Sequence, residues 1–427
     1  MPPRLRSSGV LELLALGLLA IAVPLGIWIV RTAAGQPEAF NDFHPYWLAG
    51  RLVAEGRSPY DLDALNALAR AEGLSYLVGT GYSYPPPFAL LMVPLSGLPF
   101  TAAALTFNGL SLAVFGATVA GWIRWAHGFS PELKRRRAIL ALAAGAYPPV
   151  YGSIANGQAN LLVLGFLALG TAVVLDSKTG ARRAIGGVAI GLAAVVKLLP
   201  GVLILPLLLG RRLAASGGLV LGALGSWLLA VFLAPATSQG TGRLSALLDP
   251  DAYFTNQSLN GFVTRLVVPS DRTVALFPGL FDPRPVVFSV TIGLAVATGI
   301  VLWRRRAALL ERRGLALGLG LALTAGLIGG PKNGYWTEAL ALVAVGLLLL
   351  VDGRDLRLDL FGRLDRALLA GWLLGALVQA VLWLGPPPTT SALAGPVSLL
   401  TSASLYGLLA LWWLFARRLG RSERPKE

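Results

Sequence analysis

The sequence predicts an all-α, polytopic membrane protein: a bundle of transmembrane helices. Hydrophobic residues make up 55% of the 427 positions and charged residues 13%, about half the charge of an ordinary soluble domain. The mean hydropathy is +0.67. The apolar residues are gathered in runs near the roughly 20 residues that one helix needs to cross a bilayer. With no cysteine in the chain, a disulfide framework, a thiol nucleophile and a cysteine-held metal or iron-sulfur site are excluded.

About ten full spans are expected, near residues 10–30, 102–123, 138–152, 159–175, 214–235, 285–303, 314–330, 337–351, 367–385 and 396–416. The first run is longer than a signal-peptide core. Arg31-Thr-Ala-Ala34 after it makes a poor cleavage site, so it is expected to remain as a helix. Charge then gives the bundle a direction, because Lys and Arg gather on the cytoplasmic side. Of the 36 basic residues, 26 fall on one side: Arg4, Arg6, Arg124, Lys134 to Arg137, Lys178, Arg182, Arg183, Arg211, Arg212, the Arg304 to Arg313 group, Arg354, Arg357, Arg363, Arg366 and those from Arg417 onward. Nine, among them Arg31, Arg51 and Arg243, fall on the other side. Both termini are therefore expected in the cytoplasm and the loop after the first span outside, in a bacterial inner membrane. The net charge of +15 has the same origin, since basic loops face an anionic leaflet. No nucleic-acid partner is needed to explain it.

Lys197 belongs to neither side. The arginine pairs 182–183 and 211–212 flank about 26 residues that are apolar apart from Lys197, and one long helix would put the pairs on opposite faces. Two half-length helices of about 12 residues each, spanning 184–210 as a hairpin, would return the chain to the cytoplasm. Pro200 suits the start of the second arm, having no amide proton to lose there. Lys197 would then sit at the hairpin tip, where a buried charge more often marks a site than a headgroup contact.

The whole chain, 1–427, is expected to form one integral membrane domain. Its segments are an external catalytic loop at 31–101, the hairpin at 184–210, an external loop at 236–284, an external turn at 331–337 and a cytoplasmic tail at 417–427. Asp42 lies in the first loop within Phe40-Asn-Asp-Phe-His-Pro-Tyr-Trp47. A carboxylate among aromatic rings at a membrane surface is suited to proton transfer, which makes Asp42 the candidate general base. A short amphipathic helix ending near Gly56 and a turn at Ser58-Pro59 follow, with Asp61 and Asp63 capping the next helix. Three prolines stiffen Tyr84-Pro-Pro-Pro87. The apolar stretch 88–98 is too short to span and is expected to re-enter or lie in the interface.

Amides, hydroxyls and aromatic faces suited to a sugar recur in these segments. The candidates are His44, Tyr84, Asn156, Gln158, Asn160, Asn256, Gln257, Ser258, Asn260, Tyr335 and Trp336. Each has a plainer reading: amides that satisfy a tight turn, a packed histidine, or aromatic anchors such as Tyr46 and Trp47 at the membrane interface. Their gathering on one face of the membrane favours function.

Taken in order, Asp42-Phe43, Gly56-Arg-Ser-Pro-Tyr60, Tyr84-Pro-Pro-Pro87, Asn156-Gly-Gln-Ala-Asn160, Lys197-Leu-Leu-Pro200 and Asn256-Gln-Ser-Leu-Asn-Gly-Phe-Val-Thr-Arg265 resemble glycosyltransferase family 87, over about residues 10 to 350. That resemblance implies a GT-C membrane fold and an inverting transfer of a hexosyl group, mannosyl in the familiar members. The donor it implies is a polyprenyl-phosphate sugar and the acceptor a glycolipid or glycan. Asp42 would be the base by its position after the first span. The chain departs from the family in Pro331-Lys-Asn-Gly-Tyr-Trp-Thr337, which lacks the histidine that relatives show, so no histidine role is carried over.

A phosphate leaving group needs cations where its negative charge builds up, and Lys197, Arg265 and Lys332 are the external or externally directed candidates. No glycine-rich phosphate loop and no ligand spacing for a metal is present, so neither a cofactor nor a metal is expected. The remaining partners are membrane lipids, and nothing in the sequence sets an oligomeric state. The rival class is a lipid or small-molecule transporter or flippase. It would need paired broken helices at the bilayer midplane, and only the Lys197 hairpin has that character.

Overall fold

A computed structural model describes residues 7–33, 40–74, 81–127, 131–240, 248–270, 272–352, 362–384 and 395–421. Arg4, Arg6, Arg243, Arg354, Arg357 and the tail beyond Arg421 lie outside the described residues. Among the described residues the regular structure is helical, with one isolated β-bridge between Asn256 and Gly334. In order the helices are α1 (Ser7–Ala33), α2 (His44–Ala54), α3 (Leu62–Ala71), α4 (Pro86–Ser96), α5 (Phe100–His127), α6 (Pro131–Ala146), α7 (Pro148–Ala155), α8 (Asn160–Asp176) and α9 (Gly180–Val196). After these come α10 (Ile204–Leu209), α11 (Leu213–Leu233), α12 (Leu259–Val267), α13 (Pro283–Arg304), α14 (Arg312–Gly329), α15 (Ala341–Asp352), α16 (Arg363–Leu384) and α17 (Ala403–Arg421).

All ten expected spans fall on helices. Among the described residues six segments are long and apolar enough to cross a membrane: α1, α5, α11, α13, α16, and α17 with the turn before it. The pair α6 and α7 makes a seventh if its 48° bend is allowed within one span. That bend has a local cause, because Tyr147 precedes Pro148-Pro149 and takes an extended conformation (φ −66°, ψ 114°), as the residue before a proline prefers. The other three expected spans, 159–175, 314–330 and 337–351, fall on helices outside these seven, of 17, 18 and 12 residues. Exposed apolar faces such as Leu221, Leu224, Leu228 and Phe232 on α11, or Phe288, Ile292 and Val296 on α13, suit helices solvated by lipid.

The chain divides into two compact units. The first holds α1 to α9, apart from the first residues of α6, and nearly all of α11. Its helices meet through small residues. A Cβ on Gly187 or Gly191 of α9 would lie 2.0 or 2.3 Å from the Ala215 or Leu219 carbonyl oxygen of α11. Gly218 and Gly222 of α11 meet Ala184 and Val188 of α9 in the same way. Two facing Gly-x-x-x-Gly stripes thus bring these backbones into contact, and Gly186 and Gly170 do the same between α9 and α8. Helix α9 runs to 17 residues, longer than the expected 12 or so, and α10 to only 6. The helix breaks where predicted: Lys197 is extended (φ −146°, ψ 119°), and a tighter turn, Leu199–Leu203, leads into α10. The second arm, from Val202 onward, belongs to the other unit.

In that second unit α14 packs against α15 and α17, and α16 against α17. Gly375 of α16 and Gly407 of α17 allow that last pair to touch. Asp365, buried at the start of α16, is paired with Arg417 at 3.2 Å and Arg418 at 2.8 Å on α17.

Candidate active site

Two turns in the first unit interlock around Asp42. The chain enters through Phe40, whose positive φ of 48° is an uncommon conformation for an aromatic residue. The Phe40 carbonyl accepts from the Phe43 amide at 2.9 Å and meets His44 Nδ1 at 2.9 Å, which starts α2. Helix α2 therefore begins at His44, earlier than the amphipathic stretch expected from Gly50, with Pro45 in its first turn. The facing turn is Asn156-Gly157-Gln158, between α7 and α8. Its Asn156 carbonyl accepts from the Asp42 amide at 3.0 Å. Gly157 has φ +67°, and a Cβ there would lie 2.7 Å from the Cβ of Phe43. Only glycine lets the turns close. Phe43 is wholly buried, its ring against those of Phe100, Phe107 and Tyr46.

A polar chain runs through this joint. Gln158 Nε2 donates to Asp42 Oδ2 at 2.6 Å. Gln158 Oε1 lies 3.1 Å from the Tyr46 hydroxyl and 3.3 Å from that of Tyr84, and the two phenol oxygens are 2.6 Å apart. Two residues on, Asn160 Oδ1 accepts from the Lys197 ammonium at 2.8 Å, while its Nδ2 donates to Ser153 Oγ at 3.2 Å. The Tyr60 hydroxyl fixes the Tyr84 backbone by donating to its carbonyl at 2.7 Å. Burial raises the pKa of Asp42 above the usual carboxylate range, against the opposing effects of the Gln158 hydrogen bond and the charge of Lys197. The result is a carboxylate with one oxygen anchored and a cation nearby, the anchoring glutamine being held in turn by two phenols.

The structure thus brings together five of the residues singled out in the sequence: Asp42, Tyr84, Gln158, Asn160 and Lys197. Asn156 serves the turn itself, its Nδ2 donating to the Gly152 carbonyl at 2.9 Å. His44 is packed, stacked on Phe100 with ring centroids 4.0 Å apart. Sequence reasoning missed Tyr46, read as an interface anchor, and Ser153. The signal for Tyr46 was its place four residues beyond Asp42 in the same short polar and aromatic segment.

The other candidates meet in the second unit, as a clasp between two loops. Asn256 Oδ1 accepts from Ser258 Oγ at 2.8 Å and from the Asn333 amide at 3.2 Å. The Gln257 amide donates to the Asn333 carbonyl, and the Tyr335 amide to the Thr255 carbonyl, each at 2.8 Å. Ser258 caps α12. Asn260 donates to the carbonyls of Asp249 and Pro331, both at 2.9 Å, and Gln257 to that of Thr401 at 2.7 Å. Arg265 Nη1 donates to the Tyr253 and Asn256 carbonyls at 2.9 and 2.8 Å, and Nη2 to Ser402 Oγ at 2.7 Å. Tyr335 is buried and Trp336 packs edge-on against Trp383. Lys332 is exposed. These side chains mainly satisfy backbone groups of the loops they join.

Residues 82–331 match the family model described as glycosyltransferase family 87. The chain belongs to this family. It is a membrane glycosyltransferase. The matched segment contains Tyr84, Gln158, Asn160, Lys197 and Arg265 and begins beyond Asp42. Curated relatives agree with the family assignment. The chain is 27% identical over 351 residues to the polyprenol-phosphate-mannose-dependent α-(1-2)-phosphatidylinositol pentamannoside mannosyltransferase of Mycolicibacterium smegmatis, covering 79% of this chain and 77% of that protein. It is 26% identical over 260 residues to the corresponding phosphatidylinositol mannoside mannosyltransferase of the same organism, covering 56% and 55% of the two chains. For the like-named enzyme of Mycobacterium tuberculosis the figures are 27% over 219 residues, covering 46% and 48%.

Proposed function

We propose that the protein transfers a mannosyl group from a polyprenyl-phosphate donor to a hydroxyl of a lipid-linked glycan, with inversion, at the external face of a bacterial inner membrane. Both termini lie in the cytoplasm on this reading. Asp42 is the general base and Lys197 the cation that faces the leaving phosphate. The acceptor hydroxyl gives its proton to Asp42 as its oxygen attacks the anomeric carbon. The bond from that carbon to the phosphate oxygen breaks on the opposite side, and its electron pair leaves with the polyprenyl phosphate. An ammonium in a low-dielectric site stabilises this growing charge more than it would in water.

One observation carries the reading. Gln158 and Asn160, two residues apart, hold the carboxylate of Asp42 and the ammonium of Lys197 respectively. Base and cation, 155 positions apart in the chain, are thus fastened to one short loop, as a reaction that removes a proton at one end and expels a phosphate at the other requires. The names of the curated relatives support the donor and the acceptor class.

The test is transfer by purified protein in lipid vesicles, with polyprenyl-phosphate-mannose as donor and phosphatidylinositol mannosides as acceptors. Nuclear magnetic resonance of the product should give an anomeric configuration opposite to that of the donor. A retained configuration would sink the single-base mechanism. Because the chain has no cysteine, a single cysteine at Asp61 should react with an impermeant reagent from outside the cell.

A further inference from the structure

We propose that Gln158 is the positioning residue of the base: it holds Asp42 by Oδ2, so that Oδ1 receives the acceptor's proton. The inference rests on the reading of Asp42 as the base. It also removes Gln158 from the sugar contacts expected of it, since the side chain is only 6% exposed and both its ends face protein groups.

Proton counting sets the direction of the amide. A glutamine side chain has one accepting end and one donating end, and each phenol has a single proton. Three contacts join Gln158 Oε1, Tyr46 and Tyr84. Two phenol protons fill two of them, one phenol donating to the other and the second donating to Oε1. Either order leaves Oε1 as an acceptor. With Asp42 ionised, the amide nitrogen faces it, at 2.6 Å from Oδ2. A flipped amide would turn its oxygen onto the carboxylate and leave the phenol protons without that acceptor. Among the described residues the carboxylate takes its side-chain hydrogen bond at Oδ2 alone. When the acceptor's proton arrives on Oδ1, Oδ2 keeps its N–H donor and nothing in the network has to move.

The phenols act through the glutamine. Each tyrosine comes from a different element, Tyr46 from α2 and Tyr84 from the stretch before α4, and Tyr46 is itself pinned edge-on to Tyr84 and Phe88. The amide is therefore fixed at its far end by two packed rings. A donor held in this way stabilises the ionised carboxylate against its burial.

Infrared titration of the protein in lipid tests this without any substrate. The carboxylic C=O band lost in Asp42→Asn reports Asp42. In Gln158→Leu the midpoint of that band should move to higher pH, because the ionised form has lost its donor. The double variant Tyr46→Phe with Tyr84→Phe should move it the same way, and further than either single variant. Turnover in Gln158→Leu should fall about ten- to a hundredfold, the worth of one charge-assisted hydrogen bond, with the donor KM unchanged. An unmoved midpoint in Gln158→Leu overturns the proposal, as does a raised KM with normal turnover, which would mark a substrate contact. Should Gln158→Leu fail to fold, Gln158→Glu keeps the accepting end and the volume. It should also raise the midpoint, and an unchanged midpoint there is equally fatal. Full activity in Asp42→Asn would instead remove the base reading, while the band shift still judges the hydrogen bond.

Discussion

The two units carry polar clusters of nearly the same composition, amides with a buried or half-buried cation, and use them in opposite ways. In the second unit the side chains of Asn260, Gln257 and Arg265 donate mainly to backbone carbonyls. In the first unit Gln158 and Asn160 bind a carboxylate, an ammonium and hydroxyls. A side chain that saturates a carbonyl fastens a loop. One that binds another ionisable side chain adjusts that group's charge and aim. Residue type alone does not separate these uses, and the partner does.

Substitutions should separate the clusters sharply. The largest effect is expected from Asp42→Asn, which keeps the shape and removes the proton acceptor. Transfer should fall by about 10² to 10⁴, measured as turnover at matched protein level. The same variant should be no less stable near neutral pH. Burial raises the folded pKa of Asp42, so the folded state holds the proton more tightly than the unfolded chain, and stability is lost as pH rises through the folded value. An asparagine does not ionise and escapes that loss, which a thermal melt would show. For catalysis the sign is reversed: the base works only when ionised, so wild-type turnover should climb with pH along an acid limb lying above the ordinary carboxylate range.

Lys197→Ala comes next, with donor use reduced at least about tenfold, since a charge-assisted contact is worth roughly 1.5 to 3 kcal/mol. Normal donor kinetics would reassign Lys197 to the fold. Arg265→Ala sharpens the contrast from the other side. It leaves the Asn256 carbonyl and the Ser402 hydroxyl without that donor, the Tyr253 carbonyl keeping the Asn256 amide, so its expected cost is stability, about 1 to 3 kcal/mol in a melt, with the donor KM unchanged in the protein that folds. If Arg265→Ala instead raised the donor KM in a stable protein, the clasp would be part of the site. The smallest effect should come from Asp61→Asn. Asp61 caps α3 by accepting from the Ala64 amide at 3.0 Å, and asparagine caps a helix nearly as well. Activity and melting temperature should both stay near wild type.

The membrane class, the positions of the long helices and the break at Lys197 were legible in the chain, because each depends on local quantities: run length, charge spacing, and a lone lysine among apolar residues. Asp42 and Lys197 stood out as candidates for the same reason, each an ionisable residue where its neighbours make ionisation costly. The roles of the amides were not. Asn156-Gly-Gln-Ala-Asn160 and Asn256-Gln-Ser-Leu-Asn260 look alike as strings, and which carbonyl or carboxylate each meets is set by segments far away in the chain, such as Asp42 for Gln158 and Pro331 for Asn260. Tyr46 was misread because an aromatic near a membrane surface has a general explanation, and its hydroxyl finds its partner only after α7 and α8 fold against α2.

What the sequence determined alone was therefore the solvent the chain must live in and the residues able to carry charge within it. Hydropathy and helix length are summed along the chain and need no partner. Tertiary structure decided the geometry of the chemistry. The approach of Gly157 to Phe43 and the glycine stripes of α9 and α11 bring Asp42, Gln158, Asn160 and Lys197 into one unit. Hydrogen bonds act over about 3 Å, a range at which only the folded chain says which donor meets which acceptor.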